Sequence, residues 1–298
     1  MTDSRDTPVQ TYLQTPSATR MRLPAQACDA HVHVFGPPQR FPYAASRSFT
    51  PVEAPKEKLF ALHRHLGIER CVIVQSMIHG LDNRVVADAI AAGQRRYVGV
   101  ALTPVDVSSE ALGQLAAQGF RAVRFNFMQH LGLGAQPEAL VALTHRLAEH
   151  RMHLQVHFDP SLIDALAPWL QRCAVPVVID HMGRVDAKEG VQGQAFQTLC
   201  RLLDRPQFHV KVSGIDRVNE QVPLDSPAYP LGIALARYLV QRFPEQCVWG
   251  TDWPHPNHTH VPDDGVLVNA VPQFAPTAAL QQALLVDNPQ RLYRFDTP

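Results

Sequence analysis

The sequence predicts a single α/β domain folded as a (β/α)8 TIM barrel, distorted rather than regular. Three observations predict it. Eight short apolar segments recur along the 298 residues, with helical patterns or room for a helix between them. Several of these segments are apolar throughout, as in Cys71-Val72-Ile73-Val74 and Val175-Pro176-Val177-Val178-Ile179. Such runs suit parallel strands covered on both faces rather than one-sided antiparallel strands. Four of the segments also run into His or Asp at their C-terminal ends, the end at which a barrel carries its active site. Spacing alone also permits an open doubly wound sheet. No G-x-G-x-x-G follows a strand and no G-x-x-x-x-G-K-[ST] occurs, so dinucleotide and P-loop sites are unsupported. The length would allow two domains of ~150 residues each, but α/β barrels of this size routinely form one.

Taken in order, residues 1–25 read as a tail, rich in Thr, Ser, Pro and Gln and without a sustained period, and residues 26–298 read as the barrel domain. The expected strands are Cys28–Val34, Arg70–Gln75, Tyr97–Leu102, Ala122–Asn126, His153–Phe158, Val175–Asp180, His209–Ser213 and Cys247–Asp252. Pro176 is awkward inside a central strand and is placed at a strand start. Helices fit Glu57–Leu66 and Asn83–Ala92. The next is capped by Ser108 or Ser109, buries Leu112 and Leu115, and ends at Gly119. Pro137 occupies the first turn of another, with Leu140, Leu143 and Leu147 at helical spacing. Further helices fit Pro160–Cys173, Ala195–Leu203, Leu231–Phe243 and Thr277–Leu285.

Composition excludes several classes. Hydrophobic residues make up 46% and charged residues 18%, which is globular and not disordered. Lys plus Arg equals Asp plus Glu at 27 each, so no chain-wide basic field for nucleic acid or anionic lipid exists. No run approaches the ~18–20 apolar residues that span a bilayer. The start, MTDSRDTPVQTYLQTPSATR, lacks the apolar core of a secretory signal. Five dispersed cysteines with no C-x-x-C pair argue against a disulfide framework or a thiolate zinc site, and read as small buried residues in a reducing cytoplasm. Neither a nucleic acid nor a membrane is an expected partner, and the sequence is compatible with a homo-oligomer.

Histidine is the outlier, with 15 copies. His31 and His33 stand at i and i+2 on strand one and point to one face, which in a barrel is the interior. His157 closes strand five, Asp180-His181 strand six, and Asp252 strand eight. Four imidazoles and a carboxylate thus converge. They suit zinc or another divalent metal, which brings water to a pKa of roughly 7. Without metal, the carboxylate takes a proton from water while imidazoles polarise a carbonyl. Both versions describe hydrolysis. A lone His on an apolar strand is more often a hydrogen-bonded core residue, so the weight rests on the joint pattern. His63, His65, His145, His150 and His153 fall on helix or helix-end patterns and read as solvated, and His209 reads as structural. His255 reads as lining the mouth. The trio His255, His258 and His260 is a weaker, separate metal motif.

At these residues the chain resembles the amidohydrolase superfamily, and within it the lactonase group that includes 2-pyrone-4,6-dicarboxylate lactonase. The resemblance runs from about Ala25 to Tyr293. Its marks are Asp29-Ala-His-Val-His-Val-Phe-Gly36, Val72-Ile-Val-Gln75, Arg124-Phe-Asn-Phe127, Ile179-Asp-His-Met-Gly-Arg184, Trp249-Gly-Thr-Asp-Trp-Pro-His-Pro-Asn257 and Asn288-Pro-Gln-Arg-Leu-Tyr293. It implies hydrolysis of a cyclic ester, with Asp252 as base and His31, His33 and His181 around the scissile carbonyl. It also implies that Arg124 and Arg217 clamp substrate carboxylates. His157 stands where the pyrone lactonase carries tyrosine. Metal-dependent relatives of the aminocarboxymuconate semialdehyde decarboxylase branch use a histidine there, so the resemblance implies a ligand set of His31, His33, His157 and Asp252 for one divalent metal, zinc first. His130 replaces an arginine, Phe49 a tyrosine and Met77 a serine, while Arg184 joins the substrate-binding set as a prop three residues after His181. An imidazole does not copy the bidentate bonds of a guanidinium to carboxylate. The expected substrate is therefore a small anionic lactone with fewer carboxylates than the pyrone dicarboxylate. A metal-dependent, non-oxidative decarboxylase of an aromatic or muconate acid is the alternative. A non-catalytic barrel predicts loss of a key polar residue, and none is missing.

Overall fold

The computed structural model describes residues 7–128, 136–219, 229–258 and 260–295. Eight parallel strands form one sheet in the order of the chain: β1 (Cys28–Val32), β2 (Arg70–Val74), β3 (Tyr97–Leu102), β4 (Phe120–Phe127), β5 (His153–Phe158), β6 (Val177–Ile179), β7 (Phe208–Lys211) and β8 (Cys247–Val248). Each pairs in parallel with the next. The sheet curls until β1 meets the segment after β8. There Ala30 N–H donates to Trp249 O at 2.8 Å, Asp252 N–H to His31 O at 2.8 Å, and His33 N–H to Trp253 O at 2.7 Å. These bonds draw the edges together, so the sheet is a nearly closed (β/α)8 barrel, as expected.

Helices follow the strands: α1 (Lys56–Leu66), α2 (Arg84–Ala92), α3 (Ser109–Ala117), α4 (Pro137–Glu149), α5 (Ile163–Leu170), α6 (Gln194–Leu203), α7 (Pro230–Arg242) and α8 (Asp264–Phe274). The Ser108 hydroxyl accepts from Ala111 N–H and starts α3, and Pro137 occupies the first turn of α4. Both follow the sequence signals. Helix α8 does not, because Pro272 lies inside it and interrupts the pattern. It begins under an Asp263 cap, whose carboxylate accepts from Gly265 and Val266 N–H. The helix read at Thr277–Leu285 is a short helix, Ala278–Gln282, running into a π-turn at Ala283–Asp287, and a further helix, Asn288–Tyr293, follows beyond the expected end.

The strands end earlier than their apolar runs suggest. β1 stops at Val32, β6 at Ile179 and β8 at Val248. Beyond these points the backbone turns sharply, with positive φ at His181 (48°), Met182 (53°) and Asp252 (69°). Non-glycine residues in this region cost of order 1–3 kcal/mol each and persist where their surroundings hold them. Two histidines expected in solvent are buried. His63 lies on the inner face of α1 with Leu59, Leu62 and Leu66, an i, i+3, i+4, i+7 stripe, and its Nδ1 is 2.8 Å from Tyr97 Oη. His153 opens β5 beside Tyr293 rather than ending a helix. Within the stretch read as a tail, Pro8–Val9 pair in parallel with Thr50–Pro51, and Tyr12 packs edge-on to Trp253. All five cysteines are free and buried. Among the described residues, no helix is long and apolar enough to cross a membrane.

Candidate active site

Residues at or just past the C-terminal ends of β1, β5, β6 and β8 meet at one end of the barrel. Asp252 Oδ1 is 3.3 Å from His33 Nε2, 3.6 Å from His31 Nε2 and 3.9 Å from His181 Nε2. The His31 ring lies 5.0 Å from His33 and 4.5 Å from His181. Backbone and neighbours fix this arrangement. The Asp29 carboxylate accepts from the N–H of His31, the N–H of Thr251 and the Thr251 hydroxyl, and so ties β1 to the turn that carries Asp252. Gly250 sits where any Cβ would lie 2.5 Å from His31 N, so glycine is required for that approach. His33 Nδ1 lies 2.7 Å from Val74 O, which can only accept, so Nδ1 carries the proton and the Nε2 lone pair faces Asp252. His181 Nδ1 is 2.9 Å from Ser213 Oγ.

A cleft lies over this group. His33, His157, His181 and Asp252 line it, as do Arg124, Arg184, Arg217 and Met77. His31 lies beneath, fully buried. Phe49 is packed half-buried against the hydrophobic core and is not among the lining residues. His130 lies outside the described residues. The two matched arginines hold carboxylates of the protein itself. Arg124 Nε donates to Asp180 Oδ2 at 2.8 Å. Arg217 donates to Asp252 Oδ2 from Nε at 2.6 Å and approaches it from Nη2 at 2.5 Å.

Three residues behind the site have no role in the sequence reading. Asp180, just past β6, faces Arg124, Lys211 and His31. Lys211, fully buried on β7, has Nζ 3.2 Å from His31 Nδ1 and 3.5 Å from Asp180 Oδ1. Asp216, past β7, approaches His258 and His260. The available signal was a lysine at the end of a core strand, since lysine is almost never fully buried without a partner. His255 is buried against Asp264 at 3.1 Å and does not line the mouth.

Burial sets the charges. It pushes His31 down to about 3, with Lys211 adding to the shift. It holds His157 and His181 well below the usual imidazole range. Burial alone would raise Asp252, but Arg217, His181 and the bond from His258 outweigh it and hold the carboxyl well below its usual range. Asp180 is likewise held low, because Arg124, Lys211 and His31 outweigh its burial. Burial lowers Lys211 to about 8, which leaves it mainly protonated at neutral pH. The result is an ionised carboxylate in a cluster of imidazoles, of which His31, His157 and His181 are neutral.

The donor set fits a metal ion. One donor atom each from His31, His33 and Asp252 lie within 4.8 Å of one another, and all three residues are buried. His31 Nε2 and Asp252 Oδ1 are buried with no hydrogen-bond partner. His157 stands outside that triplet, with Nδ1 3.2 Å from Asn126 Oδ1 and its ring edge-on to His181.

Fold and site together define a barrel hydrolase. The chain belongs to the amidohydrolase family, whose model matches residues 28–295. Members of this family often bind a metal, in keeping with the cluster of His31, His33 and Asp252. The chain is 41% identical over 288 residues to 2-pyrone-4,6-dicarbaxylate hydrolase of Comamonas testosteroni, covering 95% of this chain and 94% of that one. It is 37% identical over 278 residues to 4-sulfomuconolactone hydrolase of Hydrogenophaga intermedia, covering 92% and 90%. A solved structure of a "probable 2-pyrone-4,6-dicarboxylic acid hydrolase" from Acinetobacter baumannii, with citric acid bound, superposes with a TM-score of 0.80 at 25% identity, covering 91% of this chain and all of that one.

Proposed function

We propose that this chain hydrolyses a small anionic lactone, with Asp252 as general base. One observation carries the reading: a buried, ionised carboxylate whose Oδ1 has no hydrogen-bond partner and faces three imidazoles at 3.3–3.9 Å. Asp252 takes a proton from water as the water oxygen attacks the lactone carbonyl. His181, which lines the cleft, donates to the oxygen on which charge develops, with His31 packed behind it. The ring C–O bond then breaks, and the leaving oxygen recovers the proton from Asp252. The Nδ1 of His31 faces a donor, Lys211, and an acceptor, Asp180 at 3.3 Å, so the pocket accommodates either neutral tautomer. With Lys211 as donor, Nε2 carries the proton toward Asp252.

The lone pairs of His33 Nε2 and Asp252 Oδ1 support a bound divalent ion, zinc first, held by His31, His33 and Asp252. When bound, such an ion supplies Lewis-acid polarisation of the carbonyl and a more acidic water. Holding it through Nε2 uses the other His31 tautomer, with Nδ1–H donated to Asp180, the second partner that orients a ligating histidine. His157, outside that triplet, is assigned to the substrate side with Arg184 and Met77.

The charge balance supports an anionic substrate of modest charge. Arg124, Arg184, Arg217 and Lys211 outnumber Asp180 and Asp252, yet two of the guanidiniums already serve those carboxylates. A panel of mono- and dicarboxylated lactones, followed by acid release and ring absorbance, tests the reading. Opening of a monocarboxylated lactone, with kcat/KM above that of the pyrone dicarboxylate, is expected. A kcat/KM above about 10⁴ M⁻¹s⁻¹ on the pyrone dicarboxylate refutes the substrate assignment. Carbon dioxide release without lactone opening establishes the decarboxylase instead.

A further inference from the structure

We propose that the chain carries a second metal site, separate from the barrel-mouth triplet, in which Asp216, His258 and His260 hold one structural divalent transition-metal ion of the zinc kind. The three residues come from the segments after β7 and β8, and no hydrolytic step above uses them as ligands. Their donor atoms lie within 4.8 Å of one another. Asp216 Oδ2 is 3.1 Å from His258 Nδ1 and 3.5 Å from His260 Nε2. Ligands held at ~2.0–2.1 Å in a tetrahedron stand about 3.3 Å apart, so both distances match edges of one coordination shell.

The polar atoms are otherwise unexplained. Asp216 Oδ1 and Oδ2, His258 Nδ1 and His260 Nε2 are all buried without a hydrogen-bond partner. Four orphaned donor atoms at one spot are costly unless a bound group uses them. The Asp216 and His258 side chains are 1% and 2% exposed and that of His260 is 9%, so water does not serve as the general partner. A carboxylate with two imidazoles is a zinc-type donor set. The trio suggested by sequence spacing is thereby corrected: His255 is taken by Asp264, and Asp216, remote in the chain, replaces it.

The site would pin the turn that follows the base. His258 Nε2 is 3.5 Å from Asp252 Oδ2. With Nδ1 on the metal, the proton of the neutral ring must sit on Nε2 and point at Asp252, which makes His258 a positioning residue. None of this depends on which reaction the barrel mouth performs.

Zinc binding by the full-length chain tests it. The protein is stripped of metal, dialysed against buffered zinc and assayed by elemental analysis, with thermal melting as a parallel readout. The variant His33→Ala disables the barrel-mouth triplet. It is expected to retain one zinc per chain and to melt at higher temperature with zinc than without. Adding His260→Ala is expected to weaken that binding at least tenfold and to abolish the zinc-dependent rise. A cooperatively melting His33→Ala chain that holds no zinc overturns the proposal. So does zinc affinity within twofold after His260→Ala. If His33→Ala does not fold, wild type and His260→Ala are compared directly: loss of one zinc per chain supports the site, and equal content overturns it.

Discussion

Replacing Arg217 by methionine removes the guanidinium that holds Asp252. The two side chains are buried, 5% and 1% exposed, and meet at 2.5–2.6 Å. Removing one partner of a buried ion pair costs about 3–5 kcal/mol, because the remaining charge is left uncompensated. His33, His181 and His258 still face the carboxylate, so the low end, about 3 kcal/mol, is expected. Losing the guanidinium also raises the Asp252 pKa, since Arg217 is the largest influence holding it down. In the wild type this pKa is held below its unfolded value. The pair's stabilisation is therefore present above the unfolded pKa and is lost as pH falls through the folded one. The deficit of Arg217→Met is full at neutral pH and closes as pH falls through the variant's raised pKa. Urea denaturation at pH 7 and at successively lower pH measures it. The acid limb of kcat/KM moves to higher pH in parallel. A deficit below about 1 kcal/mol at pH 7, or an unmoved acid limb, refutes the claim that Arg217 sets the charge of the base.

Gly250→Ala places a Cβ 2.5 Å from His31 N and 2.9 Å from Asp29 Oδ1, where β1 meets the β8 end. A loss of about 1–3 kcal/mol is expected, together with lower kcat, and an unchanged melting temperature contradicts it. Lys211→Met removes the cation beside His31 Nδ1. His31 is held low by burial and by Lys211, so its titration, followed by imidazole NMR, is expected to move to higher pH. Stripping of metal, verified by elemental analysis, is expected to lower activity that returned zinc restores. Activity unchanged by stripping leaves the carboxylate-only mechanism.

Much of this barrel is written locally. Short apolar segments, several of them continuous, place all eight strands, and Ser108 and Pro137 mark their helices. His31, His33, His181 and Asp252 are legible because each follows an apolar strand at the same end. What fails is what depends on tertiary partners. His63 fits a helical apolar stripe as well as it fits solvent, and only Tyr97, 34 residues on, shows which. Arg124 and Arg217 look like free clamps until Asp180 and Asp252 are seen to occupy them. Asp216 meets His258 across 42 residues, a pairing no spacing rule reaches. The strand ends β6 and β8 are not legible, because the positive φ of His181 and Asp252 goes with long-range hydrogen bonds to Ser213 and His31 and not with residue type.

The most direct measurement is kcat of Asp252→Asn on the lactone the wild type opens, alongside its melting curve. The replacement keeps the shape and removes the proton acceptor. A variant that melts cooperatively with kcat reduced by at least about 10²-fold is the expected result. A folded variant with kcat within threefold of wild type contradicts the assignment of Asp252 as the base.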